Sequence, residues 1–303
     1  MILKIYTFFV FRTVDLAYTF VVTINQLIFN KMKNLITGVF TLMAMSFTFA
    51  QWNIDVSTQN GNMNVATVDQ AGLLNVNQLN QDGNRNTADI DQVGAFNTND
   101  AESIGNRNSI DVDQTGIGNS NVTSQTGNRN VASTWQVGLL NSTDQTQIGR
   151  RNEVSSIQWG SGNNVVQYQD GRRNNASSFQ WGSGNIGAQY QLGRRNEVSG
   201  TQIGDGNILA QYQQGNDNSA TNYQIGDDNI AAVVQVGDDN MAMGTQLGSD
   251  NLLVQLQTGD GNIAMDNQTG DGNIAVITQS GDNHIHVGTQ MGNNNSLMVN
   301  QSN

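Results

Sequence analysis

Proline and cysteine are absent from all 303 residues, and histidine occurs only at His284 and His286. At the usual share of about 5%, a chain this long would hold roughly fifteen prolines. Proline removes a backbone donor, so a chain that is nearly all paired strand excludes it. Without cysteine there can be no disulfide, no thiol nucleophile and no cysteine-held zinc or iron–sulfur centre. Two histidines leave little for acid–base or metal chemistry. Basic residues are also scarce, 13 against 25 Asp and Glu with a pI near 4.3, which argues against specific nucleic-acid recognition.

An address label precedes the bulk of the chain. Met32-Lys33-Asn34, an apolar run from Leu35 to Phe49, and Ala50 before Gln51 make the three parts of a secretory signal. Residues 32–50 therefore read as a signal peptide and the product as secreted. Residues 1–31 add a second apolar stretch interrupted by Arg12 and Asp15, and read as a mis-annotated upstream extension, with translation starting at Met32. The rival, one long membrane anchor, is disfavoured by Asn25, Gln26, Asn30 and Lys31. Cleavage after Ala50 leaves nine Arg, no Lys and 24 acids in residues 51–303.

What fills that region is an eleven-residue period without a slip. Glutamine recurs at Gln59, Gln70, Gln81 and Gln92, is replaced once by Ser103, and resumes at Gln114, Gln125, Gln136, Gln147, Gln158 and Gln169. It continues through Gln180, Gln191, Gln202, Gln213, Gln224, Gln235, Gln246, Gln257, Gln268, Gln279, Gln290 and Gln301. Two positions further on stand the glycines Gly61, Gly72, Gly83, Gly94, Gly105, Gly116, Gly127, Gly138, Gly149, Gly160 and Gly171. The same column runs on through Gly182, Gly193, Gly204, Gly215, Gly226, Gly237, Gly248, Gly259, Gly270, Gly281 and Gly292. Three residues later comes asparagine, as at Asn64, Asn75, Asn86, Asn130, Asn152, Asn174, Asn196, Asn207, Asn229, Asn240, Asn262 and Asn273, with His284 the one substitute.

A second period of 22 lies on top, seen in Trp159 and Trp181, in Tyr168, Tyr190 and Tyr212, and in the Arg-Arg-Asn triplets from Arg150, Arg172 and Arg194. One turn of the object is therefore two strands and two turns. Strands from Asn53 to Gln59 and onward to Asn295–Gln301 give 23 arcs, or about eleven and a half turns of an all-β, two-stranded-per-turn β-solenoid. In each strand the Asn, the third and fifth residues and the Gln share one face, and that face carries almost no charge beyond Asp266; it is the interior. Asp55 breaks the rule, which its place in the first strand explains. Buried amides are costly unless bonded, and stacked identical amides satisfy one another in a ladder that tolerates no register slip. The turn is x-Gly-x-x, with Gly supplying positive φ.

The run Gln-x-Gly-x-x-Asn-x-Ala-x-x-x-Gln, literal in Gln257–Gln268 and Gln268–Gln279, resembles the curlin repeat of curli fibre subunits. That resemblance covers nearly all of residues 51–303 and implies a secreted, major-subunit-like protein, expanded in repeat number, that polymerises into extracellular amyloid of the biofilm matrix. It implies as partners further copies of itself, a nucleator subunit, and a dedicated outer-membrane secretion channel with chaperones. The alternatives are the nucleator of the same fibres or a monomeric adhesin that binds polysaccharide. No cofactor and no enzymatic activity are expected, since an enzyme on such a solenoid needs inserted loops and this chain has none. With its repeat beginning at Asn53 and ending two residues past Gln301, the solenoid is expected to leave both ends uncapped, a template for head-to-tail growth.

Arg85, Arg107, Arg129, Arg151, Arg173 and Arg195 stand 22 apart, hence one above another on one edge. They read either as a solvated gatekeeper edge or as a site for anionic polysaccharide or extracellular DNA. The late outward positions, among them Ile230, Leu252, Val254 and Ile274, are apolar and suit bundling or adhesion. His284 and His286 read as structural substitutes, since further metal ligands are not evident, and the aromatics as a stabilising outer ladder.

Overall fold

The computed structural model describes residues 52–303, and the signal peptide expected at residues 32–50 and the upstream extension expected at 1–31 lie outside them. The described residues form 23 strands, from β1 (Ile54–Asn62) and β2 (Val65–Leu73) to β22 (Ile285–Met291) and β23 (Ser296–Ser302), with no helix among them. Odd-numbered strands make a 12-stranded sheet and even-numbered strands an 11-stranded one. Every pairing is parallel and offset by 22 residues, from Ile54↔Val76 at one end to Ile274↔Ser296 at the other. The expected solenoid of about eleven turns is what the chain forms.

The register follows from the interior. Buried polar side chains outnumber buried apolar ones, and the apolar ones are mostly small: Ala132, Val154, Ala176, Val198 and Ala220 form one run inside the even sheet. Side chains of alternate residues point in, as the buried positions of β3 (Val76–Asn84) show: Asn77, Leu79 and Gln81 are fully enclosed. A one-residue slip would turn every amide outward and bury the acids, so hydrophobic burial alone does not set the register here.

The strands run further than the window from Asn to Gln. In β1 through β13 (Ile186–Arg194), and in β15 (Ile208–Asn216), the ladder continues through the glycine to the residue after it, giving nine residues per strand. In β14 (Glu197–Ile203) and from β16 (Ser219–Ile225) onward the strands stop at seven. The change tracks the residue after the glycine. At Asp205, Asp227, Asp238, Asp260, Asp271, Asp282 and Asn293 its side chain accepts the backbone N–H one rung earlier, as in Ser183 N to Asp205 Oδ1 at 2.8 Å and Asp238 N to Asp260 Oδ1 at 2.8 Å. Side chain–backbone bonds thus take up turn donors that the extended ladder serves earlier in the chain.

Candidate functional site

Away from the break at Ser103 and the end strands, each framework glutamine bonds in two directions. Its Nε2 donates up the column, Gln92 to Gln114 at 2.8 Å and Gln158 to Gln180 at 3.0 Å. The same amide donates across the interior to the facing sheet, Gln158 Nε2 to Ser142 O at 2.9 Å. One side chain therefore locks rung to rung and sheet to sheet. Both glutamine columns donate toward the C-terminal end, and the odd one ends with Gln279 to Gln301 at 2.8 Å.

The asparagines work at the turns and donate the other way. Asn97 Nδ2 and backbone N both reach Asn75 Oδ1 at 3.1 Å, while Nδ2 also bonds Val93 O and Gly116 O. Each turn is fastened to its own strand end and to the rungs on both sides. His284 fits this slot: its backbone N donates to Asn262 Oδ1 at 3.0 Å, and its Nε2 lies 3.2 Å from Ser280 O, the carbonyl four residues back that asparagine reaches elsewhere.

Glycine is required for space as much as for conformation. At Gly171 φ is +136°, and an added Cβ would sit 1.9 Å from the carbonyl oxygen of Gly193 above it. The turns stack so closely that no side chain fits in this column. A second left-handed residue precedes each framework Asn, and here the sequence signal is weaker because Gly shares the position with Arg, Asp, Leu, Phe, Met and Asn.

The glutamine column has one break. At Ser103 the side chain is too short to reach either neighbour, and both Ser103 Oγ and Gln125 Oε1 are buried without a partner. Gln81 Nε2, one rung below, keeps only its cross-sheet bond to Val65 O at 3.2 Å.

Two further amide columns lie inside the odd sheet. Gln145, Gln167, Gln189 and Gln211 form a relay at 2.9, 2.8 and 2.9 Å. Asn121 donates to Asn99, Asn99 to Asn77, and Asn77 to Asp55, each at 2.7 Å. Asp55 is thus more than an irregularity of the first strand. It accepts from Asn77 and from Ser57 Oγ at 2.7 Å, an acceptor-only group at the acceptor end of a column. These columns recur every 22 residues in one sheet only, so an eleven-residue alignment blurs them.

Asp266, the charge on the inward face, meets His286 Nε2 at 2.9 Å with Oδ1 and accepts Gln255 Nε2 at 2.9 Å with Oδ2. It is almost fully buried, and Gly288 leaves it room, since a Cβ there would come within 2.3 Å of Asp266 Oδ1. The pair lies 20 residues apart on adjacent rungs. Among the described residues no three His, Asp or Glu side chains come together as a metal cluster.

All nine arginines of the described residues stand on one edge, in the two turn positions after the glycine. Arg85, Arg107, Arg129, Arg151, Arg173 and Arg195 take φ between 56° and 59°. That left-handed conformation is disfavoured for a long side chain. Arg85, Arg107, Arg129 and Arg150, with neighbouring asparagines, line a groove of about 610 Å³. Repulsion is uncompensated in the middle of the band. Arg150 above all holds Arg151 below the usual guanidinium range, and Arg173 does the same to Arg172. At its C-terminal limit the pattern inverts. Arg195 pairs with Asp217, and the hydrogen bond between them raises the arginine and lowers the carboxyl.

On the faces, Trp159 makes edge contacts with Trp135, Phe179 and Trp181 at 5.4 to 6.1 Å, and Tyr168 stacks on Tyr190 at 5.9 Å. Late in the odd sheet Ile208, Ile230, Leu256 and Ile274 are exposed. Among the described residues each of β1 and β23 has a strand on one side only.

A parallel solenoid whose interior is a set of amide columns is built for repetition. The curlin associated repeat matches this chain at residues 83–116 and again at 215–248. No curated protein matches it.

Proposed function

We propose that this curli-type structural subunit is secreted and assembles head-to-tail into extracellular amyloid fibres of a biofilm matrix, where it serves cohesion and adhesion. One observation carries the reading. The glutamine and asparagine columns, interrupted only by Ser103 and His284, run to the last described strands, so another copy can extend them by the bonds they already use. In this reading the Gln301 amide and the outer side of β23 are the groups that a second chain meets. Growth adds the same pair of amide bonds and the same parallel pairing at each step, and the contact is heterologous, so it does not close. In this reading a nucleator subunit and an outer-membrane channel with chaperones are the partners for export and initiation. The chain extends fibres rather than starting them.

The test is the secreted chain purified under denaturant and diluted to micromolar concentration. It is expected to form fibres with reflections near 4.7 and 10 Å, and its own fragmented fibres should abolish the lag. A stable, non-polymerising monomer would overturn the proposal in favour of a monomeric adhesin. Efficient seeding of a companion subunit by this chain, with slow growth on its own seeds, would make it the nucleator.

A further inference from the structure

The turn edge that carries the arginines changes sign partway along. In the two positions after the glycine, the rungs read Asn128-Arg129, Arg150-Arg151, Arg172-Arg173 and Arg194-Arg195, then Asn216-Asp217, Asp238-Asp239, Asp260-Gly261 and Asp282-Asn283. Counted outward from the boundary between Arg195 and Asp217, each of the four nearest basic rungs has an acidic rung at the same distance on the other side, while the Arg85 and Arg107 rungs lie beyond the acidic band. Over those eight rungs the edge is antisymmetric in charge about one point.

We propose that this edge is a self-recognition surface on which two copies pair side by side in antiparallel orientation, about a two-fold axis normal to the sheets and level with the Arg195–Asp217 boundary. Such an axis sets Arg195 opposite Asp217 of the second copy. It likewise sets Arg172 and Arg173 opposite Asp238 and Asp239, Arg150 opposite Asp260, and Arg129 beside Asp282. Every contact occurs twice, as an isologous interface requires. Both bands lie on one lattice, so their rung spacing and column spacing match without adjustment. A parallel in-register arrangement does the opposite and sets Arg against Arg at six successive rungs.

The arginines are available for this role. Arg195–Asp217 is the one Arg–carboxylate bridge among the described residues, and Arg85, Arg107, Arg150, Arg173, Arg194 and Arg195 are exposed. Arg85, Arg107, Arg173 and Arg195 also hold left-handed positions that Asp217 and Asp239 fill on other rungs, so a small residue would fold there with less strain. The bands are several rungs long, which exceeds a Debye length of about 8 Å at physiological salt, so each presents a distinct field to a neighbour. The inference adds a lateral contact to the axial one proposed above and stands whether or not the axial one does.

The absence of native cysteine permits a direct test. Chains carrying Arg173→Cys and Asp239→Cys are mixed under mild oxidation, and each is also oxidised alone. Antiparallel pairing is expected to give the mixed disulfide well above either self-disulfide, with the yield falling about tenfold or more between low and high salt. Equal yields in all three, or self-disulfides of Arg173→Cys dominating, would overturn it. As a second arm, Arg172→Asp with Arg173→Asp should abolish pairing, and mixing that chain with Asp238→Arg and Asp239→Arg should restore it. Both exchanges place a residue where the same column already holds it, so folding is expected to survive. If polygalacturonate binds the unmodified chain in a salt-sensitive way while no cross-link forms, the edge is a polyanion site and self-pairing is refuted. Seeded elongation is followed in parallel; its loss with cross-linking intact would fault the axial proposal alone.

Discussion

Replacing Ser103 with glutamine should stabilise the solenoid, which is unusual for a buried small-to-large change. The rungs on either side are in strict register, Gln81↔Ser103 and Ser103↔Gln125, and both neighbours are glutamine. Ser103→Gln supplies an acceptor for Gln81 Nε2 and a donor for Gln125 Oε1, which is buried and unpartnered. The first bond is worth about 1 kcal/mol, and the second, by relieving an orphaned acceptor, about 2 kcal/mol. About 1.5 kcal/mol of side-chain freedom is lost in return. The net gain of about 1.5 kcal/mol is roughly a tenfold shift in equilibrium. Hydrogen exchange reads it locally: amides of β3, β5 (Thr98–Asn106) and β7 (Ser120–Asn128) should exchange about tenfold more slowly, with distant rungs unchanged. The reciprocal variant Gln147→Ser opens a second gap and should speed exchange around it by a similar factor. Unchanged or faster exchange in Ser103→Gln would show that the column does not contribute as an amide relay.

Glycines separate into two classes under alanine substitution. Gly171→Ala drives a Cβ into the Gly193 carbonyl and should prevent folding, whereas Gly162→Ala, with nothing within 4 Å and φ +65°, should cost only about 1–2 kcal/mol by denaturant titration. His286→Ala leaves the Asp266 carboxylate buried without its partner and should destabilise by about 3 kcal/mol, read as a lower denaturation midpoint. On the outer even sheet, burial and mutual repulsion raise Asp91, Asp111 and Asp113 above the ordinary carboxylate range. The folded state then binds protons more readily than the unfolded one, so these groups add stability as pH falls through their raised values and oppose folding above them. Changing all three to Asn should raise the neutral-pH melting temperature and remove their part of the acid-side gain; an unchanged melting temperature at neutral pH would contradict this.

Most of the architecture could be read from the sequence because one physical constraint repeats at every rung. The missing proline, the unbroken spacing of glutamine, glycine and asparagine, and the confinement of charge to alternate positions all follow from strands whose inner amides must superimpose. What escaped reading depends on the longer period or on geometry. The Gln145–Gln211 and Asn77–Asn121 columns repeat in one sheet only, and Asp55 looked irregular because its acceptor role is visible only once Asn77 sits above it. The steric need for Gly171 requires knowing how near the Gly193 carbonyl lies, which no spacing rule supplies. The side-chain contact of Asp266 with His286 joins residues 20 apart, a diagonal that a search confined to identical columns passes over.

The opposed sense of the two kinds of amide column has a consequence for the tips. Glutamine side chains donate to one another toward the C-terminal end, as from Gln158 to Gln180, and asparagine side chains, where they bond one another, toward the N-terminal end, as from Asn97 to Asn75. Oriented dipoles stacked head to tail sum along the stack and leave partial charge of opposite sign at its two tips. Here the two sets point against each other, so the partial charge that either tip shows the next arrival is reduced.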